Sequence, residues 1–233
     1  MKYRKYILLF FMFVVYIVLI VYTFMNIDSY TSTGSVISGK SVTVIIDAGH
    51  GGEDGGAVAN GIVEKDINLS ITKKLSRLLE LSGINVRLTR SSDKMIDSGG
   101  ETLRQRKVSD MKNRLEIYNQ SEENVVISIH QNKFPQSKYS GAQVFYSQNN
   151  TDSLTLAESI RSNLCTLLQP DNKREIKPAD KNIYLLFNAR VPAVIVECGF
   201  LSNTEEASLL YSEEYQNKLA FAVFTGFMEY YNR

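Results

Sequence analysis

VTVIIDAGH, residues 42–50, carries five apolar or β-branched side chains, Val42 to Ile46, into a polar, glycine-rich turn that holds a histidine. VVISIH, residues 125–130, repeats the pattern and ends on His130, the second of only two histidines in the 233-residue chain. A third run, Ala193 to Val196, ends on Glu197. Short apolar runs bounded by polar and glycine residues read as strands buried on both faces, the mark of a largely parallel sheet. In open α/β sheets the carboxyl ends of the strands line the ligand crevice. Two imidazoles and a carboxylate are therefore expected along one edge of one sheet.

Working outward, the three runs give strands at Val42–Asp47, Val125–His130 and Ala193–Cys198. Further strands are expected at Asn85–Thr89, Ala142–Ser147 and Asn182–Leu186. EKDINLSITKKLSRLLELSG, from Glu64, spaces Ile67, Ile71, Leu75 and Leu78 along one helical face, and Gly83 supplies its stop. Helices are also expected at Leu103–Ser121, with Leu103, Val108, Met111, Leu115 and Tyr118 inward, at Leu154–Leu168 and at Glu213–Tyr231. The expected fold is α/β, a mostly parallel twisted sheet of about six strands with helices on both faces. The polar loops Ser91–Thr102 and Gln169–Lys181 read either as solvated connections or as gates over the strand ends.

The N-terminus has a different character. Ile7 to Met25 is an uncharged, mostly apolar run of nineteen positions, about 28 Å as a helix and close to the thickness of a bilayer core. Lys2, Arg4 and Lys5 precede it and Asp28 follows, which predicts an inside N-terminus and an exported remainder. The run is long for a cleaved signal peptide and lacks a small-residue cleavage pattern. Residues 1–25 thus read as an uncleaved signal anchor, 26–40 as a Ser/Thr/Gly-rich flexible tether, and 41–233 as one globular domain. Beyond the three leading cations, 23 basic side chains face 25 acidic ones, and a near-neutral domain gives no electrostatic footprint for nucleic acid. Cys165 and Cys198 make no disulfide framework, although export would permit a bridge. Cys198, after an apolar run, reads as a buried free thiol.

Between Gly49 and Gly61 lie six glycines in thirteen positions, without the spacings of phosphate-binding loops. Small residues there let the backbone pass close to a metal and an elongated substrate. Neutral imidazole is a common zinc ligand, and two histidines with one carboxylate form a known hydrolytic set. Glu64, at the start of the first amphipathic helix, lies in the same connection as His50 and is the third candidate ligand. Favourable charge at a helix N-terminus is its purely structural reading. Glu197, costly at the end of a buried strand unless something uses it, is the candidate acid/base. Its alternative is a structural bond to the turn Gly199–Asn203. Asp47 either orients His50 from behind or caps the loop. No G-x-S-x-G elbow supports a serine nucleophile.

IDAGHGGEDGGA, EKDINL, SIHQN and PAVIVECGFLSN resemble, in order, the four motif blocks of zinc-dependent N-acetylmuramoyl-L-alanine amidases, the amidase-3 family. By that resemblance His50, Glu64 and His130 bind one Zn2+ and Glu197 is the catalytic acid/base. The bond cut is the amide between the lactyl group of N-acetylmuramic acid and L-alanine in peptidoglycan. SIHQN departs from the family at the residue after the histidine, where many members carry alanine. A lone anchor on a catalytic domain without wall-binding repeats looks most like the spore-cortex amidases of endospore-forming bacteria. Those remove stem peptides ahead of muramic-δ-lactam formation, and some work with a partner lipoprotein. Other readings are a general cell-wall amidase of growth or division, another zinc hydrolase of peptidoglycan, and a non-catalytic peptidoglycan-binding protein of the same fold.

Overall fold

The computed structural model describes residues 3, 6, 10–17 and 42–233. The chain divides into two compact units, residues 1–40 and 41–233. In the first, the described residues are helical (α1), and among the described residues no helix is long and apolar enough to cross a membrane. Most of the expected anchor, and all of the tether over 26–40, lies outside the described residues.

In the second unit the strands are β1 (Thr43–Ala48), β2 (Val58–Ala59), β3 (Ile62–Val63), β4 (Asn85–Leu88), β5 (Asn124–Asn132), β6 (Gln143–Tyr146), β7 (Lys177–Pro178) and β8 (Ala193–Phe200). The helices are α2 (Glu64–Leu81), α3 (Leu103–Tyr118), α4 (Asp152–Leu167), α5 (Tyr184–Asn188), α6 (Thr204–Tyr211) and α7 (Glu213–Tyr231). Six strands form one sheet in the order β4-β1-β5-β8-β6-β7. All pairs are parallel except β6 with β8. One face packs Val44, Ile46, Ile127, Val194 and Val196 against α2, α4 and α7; the other packs Ile45, Val126 and Ile195 against α3 and α5. The α/β sheet with helices on both faces is as the apolar runs predict.

Three details differ from the sequence reading. Asn182–Leu186 is not a strand. Asp180 accepts from the backbone N–H of Asn182 at 2.8 Å and the chain turns into the helix α5. Adjacent Leu185 and Leu186 are both buried, which a strand, alternating its side chains, would not allow on one side. The sixth strand is instead β7, whose lysine and proline suit an exposed sheet edge. In α2 the buried row is Ile67, Ile71, Leu75 and Leu79, with Leu78 only partly covered. Gly83, at φ 78°, stops this helix as expected. Its N–H reaches Glu80 O, and that of Ile84 reaches Leu79 O, a Schellman closure.

The third difference matters for the site. Leu103, Val108 and Met111 are exposed, and the face α3 buries is Asp110, Arg114 and Tyr118. Of these residues, at spacings of four, Arg114 and Tyr118 reach Asp47 at the end of β1, and Asp110 holds Arg114. An apolar periodicity search passes over a helix whose inward face is polar.

Candidate metal centre

β1 and β5 are parallel neighbours in register, Asp47 opposite Ser128 and Ala48 opposite Ile129. Their last residues therefore leave the sheet side by side. Gly49 bonds through its N–H to Ile129 O at 3.1 Å, and the His130 ring lies 2.2 Å from where a Cβ on Gly49 would stand. Only glycine fits there. His50 follows in the left-handed region at φ 63°, a strained setting of the kind that clusters at functional sites. That turn aims its ring back over the sheet edge, 5.0 Å from the His130 ring, edge to face.

Glu64, the first residue of α2, stands between the two rings. Its carboxylate lies 2.9 Å from His130 Nδ1 and 3.3 Å from His50 Nε2. It also accepts from the N–H of Ala57 at 2.7 Å and of Gln131 at 3.1 Å. Gly56, at φ +69°, makes the second cradle, for a Cβ there would meet Glu64 Oε2 at 2.5 Å. The sequence-predicted trio is brought together, with one ligand atom from each of His50, Glu64 and His130 lying within 4.8 Å of the others. Burial alone would raise the Glu64 carboxyl; the hydrogen bonds from His130 and His50 outweigh it and hold the group far below the usual range. Burial would likewise lower the His50 imidazolium, yet Asp54 and Glu64 push it up to about 9.

The site thus holds two nitrogens and a buried carboxylate so close that positive charge among them is strongly favoured. That donor set fits a divalent, borderline-soft metal such as zinc. His50 would offer Nε2, His130 Nδ1 and Glu64 an oxygen.

Asp54, not Asp47, orients His50, accepting from Nδ1 at 2.8 Å. It is itself gripped by Lys107 Nζ at 2.6 Å. Because an ionised carboxylate only accepts, Asp54 keeps the proton on Nδ1, so in the neutral ring it is Nε2 whose lone pair is left for a metal. Asp47 is fully buried and accepts from Thr89 (2.7 Å), Tyr118 (2.7 Å), Ser128 (2.6 Å) and Arg114. Arg114 in turn donates to Ala48 O and His50 O, both at 2.8 Å. A second buried arginine, Arg90, donates to Ala48 O at 2.9 Å and Gly49 O at 3.0 Å. Two guanidinium groups therefore clamp the backbone that presents His50. Sequence reasoning missed Asp54, Arg90 and Arg114. The available signals were a carboxylate four residues beyond His50 and an arginine closing the β4 run.

Glu197 stands directly opposite His130 across β5 and β8, about 5 Å away at the strand spacing. Its Oε2 is buried and has no hydrogen-bond partner among the described residues. Burial and the neighbouring Glu64 push its carboxyl up to about 7, against the pull of His130 and His50. An orphaned carboxylate at the edge of a histidine pair is costly to keep, so a role in chemistry accounts for it better than one in structure. The alternative bond to the Gly199–Asn203 turn is not made; Glu206 serves there, accepting from the N–H of Phe200 at 2.7 Å. Cys165 and Cys198 are both free, and Cys198 is buried.

The domain is similar to known proteins along almost its whole length. Residues 44–229 match the protein family described as N-acetylmuramoyl-L-alanine amidase. The germination-specific N-acetylmuramoyl-L-alanine amidase of Bacillus subtilis (strain 168) is 36% identical over 220 residues, covering 94% of this chain and 91% of that protein. The CwlD amidase from Clostridioides difficile, solved in complex with the GerS lipoprotein, is 46% identical with a TM-score of 0.77, covering 81% of this chain and 98% of that one. An N-acetylmuramoyl-L-alanine amidase from Clostridium difficile 630 is 30% identical with a TM-score of 0.72, over 83% of this chain and 98% of that one.

Proposed function

The chain belongs to the N-acetylmuramoyl-L-alanine amidase family, and from that premise we propose a zinc enzyme of the spore cortex, tethered outside the cytoplasmic membrane. As an amidase of this family it hydrolyses the amide between N-acetylmuramic acid and L-alanine in peptidoglycan. His50, Glu64 and His130 are the proposed zinc ligands and Glu197 the proposed acid/base. The observation that carries this reading is the Glu64 carboxylate facing both imidazoles, with the unpartnered Glu197 beside His130.

When bound, zinc supplies Lewis acidity towards the scissile carbonyl and towards water. The protein's own residues do the rest. Asp54 fixes the His50 tautomer, and Arg90 and Arg114 fix the loop that carries it. Glu197, near neutrality, takes a proton from the attacking water and returns it to the departing alanine nitrogen, as general acid–base catalysis requires.

The cellular setting rests on the sequence of residues 1–40 and on the relatives. The apolar run from Ile7 to Met25 serves as an uncleaved anchor, 26–40 as the tether and 41–233 as the exported catalytic domain. The cortex role follows the germination-specific relative. A lipoprotein partner follows the complex formed by the C. difficile relative.

One experiment in two arms tests this. The purified full chain, given zinc and peptidoglycan, should release stem peptides with a new free amino terminus on alanine and leave the glycan uncut. Expressed in B. subtilis lacking its germination-specific relative, it should sit in the membrane fraction and restore muramic δ-lactam to the cortex. New reducing ends or free acetate without released peptide would overturn the zinc-amidase chemistry. Peptide release in the first arm without lactam in the second would instead assign it to growth or division.

A further inference from the structure

Beside Glu197 a groove of about 310 Å³ runs outward over β6 to the sheet edge, lined by Asn132, Phe134, Gln143, Arg174, Lys177 and Phe200 among others. Its inner end is fixed by strand pairing, Gln143 standing opposite Glu197. Its outer end is fixed the same way, Phe145 opposite Lys177. Gln143 and Phe145, two apart on one strand, share the sheet face of Glu197. The groove therefore starts at Gln143, the cross-strand neighbour of the proton carrier.

Arg174, from the polar loop 169–181, is held over this groove. Its guanidinium carbon sits 4.5 Å from the Phe200 ring centroid and 5.9 Å from that of Tyr139. Its Nε donates to Ser140 O at 2.9 Å. Neither terminal nitrogen has a hydrogen-bond partner, and no carboxylate lies within 4.0 Å, among the described residues. The buried Glu206 feels the charge of Arg174, but its oxygens are taken by the N–H groups of Gly141 at 2.8 Å and Phe200 at 2.7 Å. A guanidinium stacked on aromatic rings with its two-pronged end unspent is prepared for a carboxylate. Lys177 adds positive charge along the same wall.

The direction of the reaction says which half of the substrate lies here, and this step rests on the amidase reading. Glu197 must return its proton to the departing alanine nitrogen, so the peptide side of the bond lies on the Glu197 side of the site. The peptide carries free carboxylates beyond alanine, whereas the sugars offer hydroxyl and acetamido groups but no anion to match Arg174. We infer that this groove receives the peptide half of the substrate and that Arg174 is a specificity residue gripping one of its carboxylates.

The test compares the full-length, zinc-loaded chain with Arg174→Gln and Arg174→Lys on two muropeptides. One carries free peptide carboxylates; the other has the same length with those carboxylates amidated. Arg174→Gln is expected to lower kcat/KM on the acidic substrate about tenfold or more, mainly through KM, the scale of a lost charge-assisted hydrogen bond. It should leave the amidated substrate unchanged, and Arg174→Lys should recover part of the loss. Equal loss on both substrates, no loss on either, or loss that tracks glycan length instead would overturn the inference. Wild-type enzyme inert on both muropeptides would count against the amidase reading itself.

Discussion

Glu197→Gln is expected to keep its zinc and to lose amide turnover by about 10²-fold or more, the usual scale of general acid–base catalysis. The substitution preserves size and polarity but removes the group that takes up and returns the proton. Glu64→Gln should fail differently. Its carboxylate faces both imidazoles, so a neutral amide there weakens the metal site, and excess zinc should restore part of the activity. Excess zinc should not rescue Glu197→Gln. Metal content by elemental analysis beside turnover separates the two, and zinc lost from Glu197→Gln but kept by a fully active Glu64→Gln would reverse the assignments. Stability gives a cross-check. The Glu197 carboxyl is raised from 4.5 to about 7 by burial, so between those values the folded state binds more protons than the unfolded one. Its ionisation then weakens the metal-free fold as pH rises through about 7. Glu197→Gln should remove that decline, making the metal-free variant more stable than wild type at pH 8.

The second large effect is structural. Asp47→Asn is expected to destabilise the metal-free domain by about 3–5 kcal/mol, the cost of breaking a buried ion pair on one side. Asp47 is fully buried and receives four side chains, Arg114 among them. Losing its charge leaves Arg114 under-compensated beside Asp110 alone. It also slackens the guanidinium that holds the His50 carbonyl, so zinc affinity should fall with stability. Burial by itself would raise the Asp47 carboxyl, but Arg114, Ser128 and Thr89 together hold it far below the ordinary range. Its contribution is thus present above its unfolded pKa, near 4, and is lost as pH falls below that. Denaturant unfolding at pH 7 and pH 3 measures both parts. The wild type should lose stability on acidification and Asp47→Asn should lose distinctly less. A difference under about 1 kcal/mol at pH 7 would remove the buried pair from its structural role.

The legible part of this fold was written in hydrophobic periodicity. Val44–Ile46, Val125–Ile129 and Ala193–Val196 are buried on both faces, which a continuous apolar run satisfies, and their ends give the three strand-end candidate residues. Glu64 was legible because it opens the helix following the histidine loop. What stayed hidden was polar. The inward face of α3, Asp110, Arg114 and Tyr118, satisfies an aspartate far away in sequence, and no local pattern encodes a partner sixty-seven residues distant. Asp54 and Asp47 are chemically identical candidates to orient His50. Only the left-handed backbone at His50, with which its Nδ1 meets Asp54, decides for Asp54. β7 carries no apolar signal, since an edge strand of two residues buries almost nothing.

The central claim is that His50, Glu64 and His130 share one zinc while Glu197 remains free of it. Anomalous X-ray diffraction from zinc-loaded crystals, recorded on either side of the zinc absorption edge, tests it most directly. A single peak about 2.0–2.2 Å from His50 Nε2, His130 Nδ1 and a Glu64 oxygen, with no fourth protein ligand, is the predicted result. A peak bound by Glu197 in place of Glu64, or by Cys198, would contradict it.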